Sequence, residues 1–205
     1  GLEVVPKQNF SKSPINCHDH WIREAGEVWH KKFDDEAYWQ YAFDCIDEIV
    51  KACRPQRFFH IGMDEDHERA YSQYVDAILT LRTGLKKRKL RTICWSDLAL
   101  TYATGEIYIE KCQAAEVQTP KDIVRLLWDY RNIPTKIMKK TIALGFEQWA
   151  APGHVELEKT MAFRKALLGL GGTGLIMTQW VKCDKAHEKA MTERITTFAP
   201  AYQTC

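Results

Sequence analysis

The run Phe58-Phe59-His60-Ile61-Gly62-Met63-Asp64-Glu65 holds the residues best suited to chemistry: an apolar stretch stops at a glycine and gives way to two adjacent carboxylates. Side chains at the carboxyl end of a parallel strand project into the mouth of an α/β barrel, where substrates sit. Two neighbouring acids raise each other's cost of ionisation, so one can donate a proton while the other stays charged. The plainer reading is an Asp-Glu pair opening the next helix, where acids suit the positive end of the helix dipole. The surrounding elements decide between them.

Short apolar runs rich in β-branched and aromatic residues predict strands over Leu2 to Val5, Phe58 to Ile61, Thr92 to Trp95, Val124 to Trp128, Ile142 to Trp149 and Leu175 to Trp180. Between the first two, Asp34 or Asp35 can cap a helix whose Tyr38, Ala42, Cys45, Ile46, Ile49 and Cys53 form one apolar stripe. Tyr74, Ile78, Leu81 and Leu85 form a second stripe between the next two. Val155 to Leu168 reads as a helix stopped by Gly169, and His187 to Phe198 as a terminal helix ending at Pro200. Alternating strands and helices are the pattern of parallel βα units. Strand after strand ends in aromatic or acidic residues: Trp95-Ser96-Asp97, Trp128-Asp129, Phe146-Glu147-Gln148-Trp149 and Gln179-Trp180. A doubly wound sheet concentrates function at one switch point, whereas a barrel collects it from many strand ends, so the pattern predicts a barrel. No Gly-x-Gly-x-x-Gly or phosphate loop follows any strand.

At 205 residues and 45% hydrophobic content, the chain suits a single barrel domain spanning 1–205. The formal charge of +2 is close to balance, and Lys86-Lys87-Arg88-Lys89 reads as a solvated helix end, so no nucleic-acid partner is expected. The seven cysteines are odd in number and scattered, neither a disulfide framework nor a metal pair, which leans toward a reducing compartment. No apolar run reaches the length of a membrane span. A strand at Leu2 leads to the expectation of further barrel sequence, or a covering partner, on the amino-terminal side.

Trp95, Trp128, Trp149 and Trp180 are candidates for the walls of a carbohydrate pocket, since the apolar C–H face of a sugar stacks on an indole. Their plainer role is core packing. Tyr102 and Tyr108 are placed in a loop that could line a subsite, while Asp66 and Glu68 are assigned to the amino end of the following helix.

His60-Ile61-Gly62-Met63-Asp64-Glu65 resembles the His-x-Gly-Gly-Asp-Glu strand of the family 20 β-N-acetylhexosaminidases, with Met63 in place of the second glycine. Trp95-Ser96-Asp97 is similar to that family's next strand end, Trp-Asp-Glu, and Gly1 to Phe10 to the strand before the motif, with His18 matching its histidine. The resemblance covers Leu2 to Asp97 well and is patchy beyond. It implies a TIM (β/α)8-type barrel, incomplete, with strands 3 to 8 present, and removal of terminal N-acetylhexosamine without a cofactor or metal. In that mechanism the substrate's own acetamido oxygen attacks the anomeric carbon. Glu65 would then be the acid/base, and Asp64 would orient the acetamido group. His18, Trp95, Asp97, Trp128, Glu147, Trp149 and Trp180 would bind substrate. The family's arginine on the first strand has no counterpart here, and Trp180 is followed by Val181 and Lys182 where the family has a glutamate.

Three other readings stay open. Glu65 and Glu147 could be the acid/base and nucleophile of a two-carboxylate retaining glycosidase, which needs carboxyls about 5 to 5.5 Å apart. His18-Asp19-His20 could hold zinc, although no clear third and fourth histidine ligands occur at later strand ends. The third is a non-catalytic carbohydrate-binding barrel.

Overall fold

The computed structural model describes residues 3–13, 20–23, 33–99, 105–153, 156–180, 182 and 184–202. After a short helix α1 (His20–Arg23), the elements run α2 (Glu36–Cys53), β1 (Phe58–His60), α3 (Tyr71–Lys87), β2 (Arg91–Ser96), α4 (Glu106–Gln118) and β3 (Val124–Trp128). They continue as α5 (Thr135–Ala143), β4 (Gln148–Ala151), α6 (Leu157–Gly169), β5 (Gly174–Leu175), a 3-10 turn (Lys185–His187) and α7 (Glu188–Tyr202). The strands pair in parallel in sequence order, β1-β2-β3-β4-β5, and the sheet curls into a half-barrel.

Asp35 caps α2 by accepting the Tyr38 N–H. Of that stripe, Tyr38, Ala42 and Ile46 are buried, while Cys45, Ile49 and Cys53 lie half-buried at its edge. On α3 all four stripe residues, Tyr74, Ile78, Leu81 and Leu85, are buried, each apolar side chain contributing about 1.5–3 kcal/mol. Alternation along the strands divides the core. Phe59, Ile61 and Cys94 face α2 and α3, and Leu127 and Ala150 pack against residues of α5 and α6. Phe58, Ile93, Trp95, Val124, Leu126 and Ala151 line the concave side.

Four expectations require correction. The amino-terminal segment forms no strand over the described residues Glu3 to Val5 and meets the sheet further on, in an isolated parallel bridge of Lys7 to His60: the N–H groups of Gln8 and Phe10 bond the carbonyls of His60 and Ile61, and His60 N–H bonds the Pro6 carbonyl. Ile142 and Ala143 belong to the end of α5, and the strand begins only at Gln148 after a turn at Gly145, whose φ is +87°. The strand expected over Leu175 to Trp180 is ordered as β5 only at Gly174–Leu175, plus one further bond from Ile176 N–H to the Ala150 carbonyl. The last helix continues through Pro200 to Tyr202, because in the final turn proline forfeits a single backbone donor. Among the described residues no helix is long and apolar enough to cross a membrane.

Candidate functional site at the carboxyl rim of the half-barrel

The turn after β1 is backbone-strained and heavily tied. Gly62, Met63 and Glu65 all have left-handed φ, at +70°, +70° and +52°. Non-glycine residues there cost on the order of 1 kcal/mol or more and persist only where their surroundings hold them. Four N–H groups of the turn are taken by side chains. Gly62 donates to His60 Nδ1 (2.9 Å), Met63 to Asn9 Oδ1 (3.0 Å), Glu65 to Asp97 Oδ2 (2.7 Å) and Asp66 to Tyr108 Oη (3.0 Å). Tyr74 Oη donates to the Met63 carbonyl at 3.1 Å. Gly62 is required for a second reason: a Cβ there would stand 2.2 Å from Asn9 Oδ1.

Asn9 and Asp97 stand on either side of the acidic pair. Asn9 Nδ2 donates to Asp64 Oδ1 at 2.7 Å, and Asp64 is only 7% exposed. Glu65 is half-buried. Asp97, expected as a substrate ligand, is buried with both oxygens engaged within the protein: Trp128 Nε1 donates to Oδ1 (2.6 Å), while the Glu65 N–H and Tyr108 hydroxyl donate to Oδ2 (2.7 and 2.6 Å). Burial first, and then the charge of Asp64, push the Asp97 carboxyl up to about 7, against the lowering effect of these donors. His60 Nδ1 accepts the Gly62 N–H as an unprotonated ring nitrogen, and burial followed by the charge of Lys7 depresses the basicity of the imidazole.

Asp66, assigned to the amino end of the following helix, lies just before it and accepts the Arg69 N–H at Oδ1 (3.0 Å). It is fully buried, and its Oδ2 receives Arg69 Nη1 (2.5 Å) and the Lys12 N–H (2.9 Å). Arg69 also makes a bidentate pair with Asp34 (2.8 Å each) and donates to the Phe10 carbonyl (2.8 Å). Neither Asn9 nor Arg69 stands out in the sequence, since their partners are 54 or 55 residues away for Asn9 and up to 59 for Arg69.

The tryptophans separate into two levels. Trp128 and the exposed Trp180 lie toward the rim, bridged by Tyr130, whose ring is 5.3 Å from Trp128 and 6.4 Å from Trp180. Burial raises the Tyr130 hydroxyl pKa, with smaller contributions from the charges of Asp64 and Glu65. A Cβ on Gly153 would stand 2.8 Å from the Tyr130 ring, so glycine gives it room. Sequence reasoning passed over Tyr130, although an aromatic two residues past a strand-end Trp is a usable signal. Trp95 and Trp149 are in register with each other through Leu126, one level deeper. Trp95 packs on His60 (4.8 Å) and Trp149 edge-on to Phe58 (5.2 Å).

Glu147 needs relocation. It precedes β4, at the amino end of the strand, where Arg91 Nη1 pairs with it at 2.8 Å and Trp149 Nε1 and Thr173 Oγ1 donate to it at 3.0 Å. The acidic turn is at the opposite, carboxyl rim, so the structure does not bring Glu65 and Glu147 together. Tyr108 lies on α4 rather than in a loop. His18, Asp19 and Tyr102 lie outside the described residues. Among the described residues, no group of three or more His, Cys, Asp or Glu side chains could hold a metal ion.

A parallel α/β half-barrel bearing an acidic turn at its carboxyl rim is therefore the class of fold and site. The fold is similar to that in the crystal structure of Dispersin B, with a TM-score of 0.58 and 13% identity over 98% of this chain and 71% of that one. At that identity the likeness is one of fold alone. No protein-family model matches the sequence, and no curated protein matches it.

Proposed function

We propose that the chain is a glycoside hydrolase that removes terminal N-acetylhexosamine by substrate-assisted, retaining catalysis. The supporting observation is the Asp64-Glu65 pair on a strained, side-chain-clamped turn beside the aromatic wall of Trp128 and Tyr130. The fold is similar to that of Dispersin B. In this reading Glu65 protonates the leaving glycosidic oxygen while the substrate's acetamido oxygen bonds to the anomeric carbon, giving an oxazolinium ion. Asp64, held by Asn9, orients the acetamido group and balances the positive charge on its nitrogen. Glu65 then takes a proton from water, which opens the ring with overall retention. Trp128, Tyr130 and Trp180 offer faces on which a sugar ring stacks.

The relocation of Glu147 weighs against a two-carboxylate retaining mechanism using that residue. The test is hydrolysis of p-nitrophenyl N-acetylglucosaminide against the plain glucoside, with a thiazoline analogue as inhibitor. Turnover of the acetamido substrate alone, blocked by the thiazoline, supports the proposal. Equal turnover of both substrates, or sugar binding without turnover, overturns it.

A further inference from the structure

We infer that Tyr108 is a positioning residue for the Asp64-Glu65 turn, acting from the neighbouring βα unit through Asp97 and through the peptide that follows Glu65. The reading rests on the site proposed above. The Tyr108 hydroxyl donates to Asp97 Oδ2 at 2.6 Å, and the same Asp97 oxygen takes the Glu65 N–H at 2.7 Å. That hydroxyl also accepts the Asp66 N–H at 3.0 Å. One phenol therefore ties both peptide N–H groups bracketing the Glu65 side chain, at a residue whose φ of +52° needs holding. Three residues on, and so on the same face of α4, Lys111 Nζ bonds the carbonyls of Asp66 and Arg69. The helix thus grips both ends of the segment after the acids. Trp128 fixes Asp97 from the far side at 2.6 Å, so the carboxylate that Tyr108 holds cannot swing away with the turn. Because no backbone ladder secures the Glu65 and Asp66 amides, their geometry depends on these side chains.

The experiment uses the whole chain and Tyr108→Phe, which removes the hydroxyl and keeps the ring. Amide hydrogen exchange at Glu65 and Asp66 should quicken about tenfold, the loss expected for one such bond, with amides of β2 and β3 unchanged. On p-nitrophenyl N-acetylglucosaminide, kcat should fall about 10- to 100-fold while KM stays within twofold, because a shifted acid loses transition-state geometry and not substrate affinity. If Tyr108→Phe does not fold, the native chain still decides: these two amides must exchange well below the free-peptide rate. Exchange at the free-peptide rate in the native chain, unchanged exchange in the variant, or an unchanged kcat overturns the inference. A native chain that binds or ignores the acetamido substrate without cleaving it overturns the glycosidase reading alone, and exchange then judges Tyr108 by itself.

Discussion

Replacing Arg69 with leucine removes the cation at the centre of a buried network, and the structure sets the size of the loss. Arg69 is 3% exposed and makes four hydrogen bonds: two to Asp34, one to Asp66 and one to the Phe10 carbonyl. Burial alone would lower the guanidinium's basicity, but the bonds to Asp34 and the charge of Asp66 more than offset it. The Asp34 side chain is partly exposed and can rehydrate, so its share is small. Asp66 is fully buried and would keep only the Lys12 and Arg69 N–H groups and a 3.8 Å ion pair with Lys111. Stranding such a carboxylate costs about 3–5 kcal/mol, with the retained donors favouring the lower end. Urea unfolding followed by tryptophan fluorescence should show a loss of about 3 kcal/mol for Arg69→Leu. Asp66→Asn/Arg69→Leu should recover at least about 1.5 kcal/mol of it, as neutralising the stranded acid relieves the penalty. A single-variant loss below about 1 kcal/mol, or additive effects, would refute the claim that Arg69 is what compensates the buried Asp66 carboxylate.

Asp97 supplies a pH signature. Its folded carboxyl titrates near 7, above the unfolded value of about 3.9, so the native state holds the extra proton between those pH values. Its stabilising contribution is complete below about pH 4 and is lost as pH rises through 7, and the difference in unfolding free energy between the native chain and Asp97→Asn should drift by a few kcal/mol across that window. A flat difference contradicts the assignment. Gly62→Ala should destabilise by about 2 kcal/mol or more, since it combines a φ of +70° with a 2.2 Å clash against Asn9, and calorimetry checks it. Glu147→Gln should leave kcat on acetamido substrates within twofold, while a loss of several orders of magnitude would reinstate Glu147 as nucleophile. Trp180→Ala should change stability by less than about 0.5 kcal/mol, because the residue is 68% exposed, yet raise KM severalfold in steady-state assays.

The parts of the fold legible in the sequence were those that depend on local periodicity. The α2 and α3 stripes, the Asp35 cap and the apolar run into Gly62 each follow from side chains within a turn or a strand of one another. Boundaries were harder where one apolar run crosses two elements: Ile142, Ala143 and Leu144 end a helix, yet their composition continues that of the strand beyond Gly145. That shift relocated Glu147, because a few residues separate the amino end of a strand from its functional end. The acidic pair was visible as a dipeptide after a strand, whereas its support was not. Asn9, Arg69 and Tyr108 act across tens of residues, and nothing in their immediate neighbours marks them. Asp97 shows the opposite case, a strand-end acid read as a ligand whose oxygens are spent inside the protein.

The dependence of Glu65→Gln on the leaving group tests the central claim most directly. A glutamine cannot protonate the departing oxygen, so hydrolysis of an N-acetylglucosaminide with an alkyl or sugar leaving group should fall at least about 10³-fold. A dinitrophenyl N-acetylglucosaminide, which needs little protonation, should retain a rapid first step while folding stays intact. Equal losses on both substrates, or turnover of the sugar-leaving substrate at the native rate, would contradict the assignment of Glu65 as the acid.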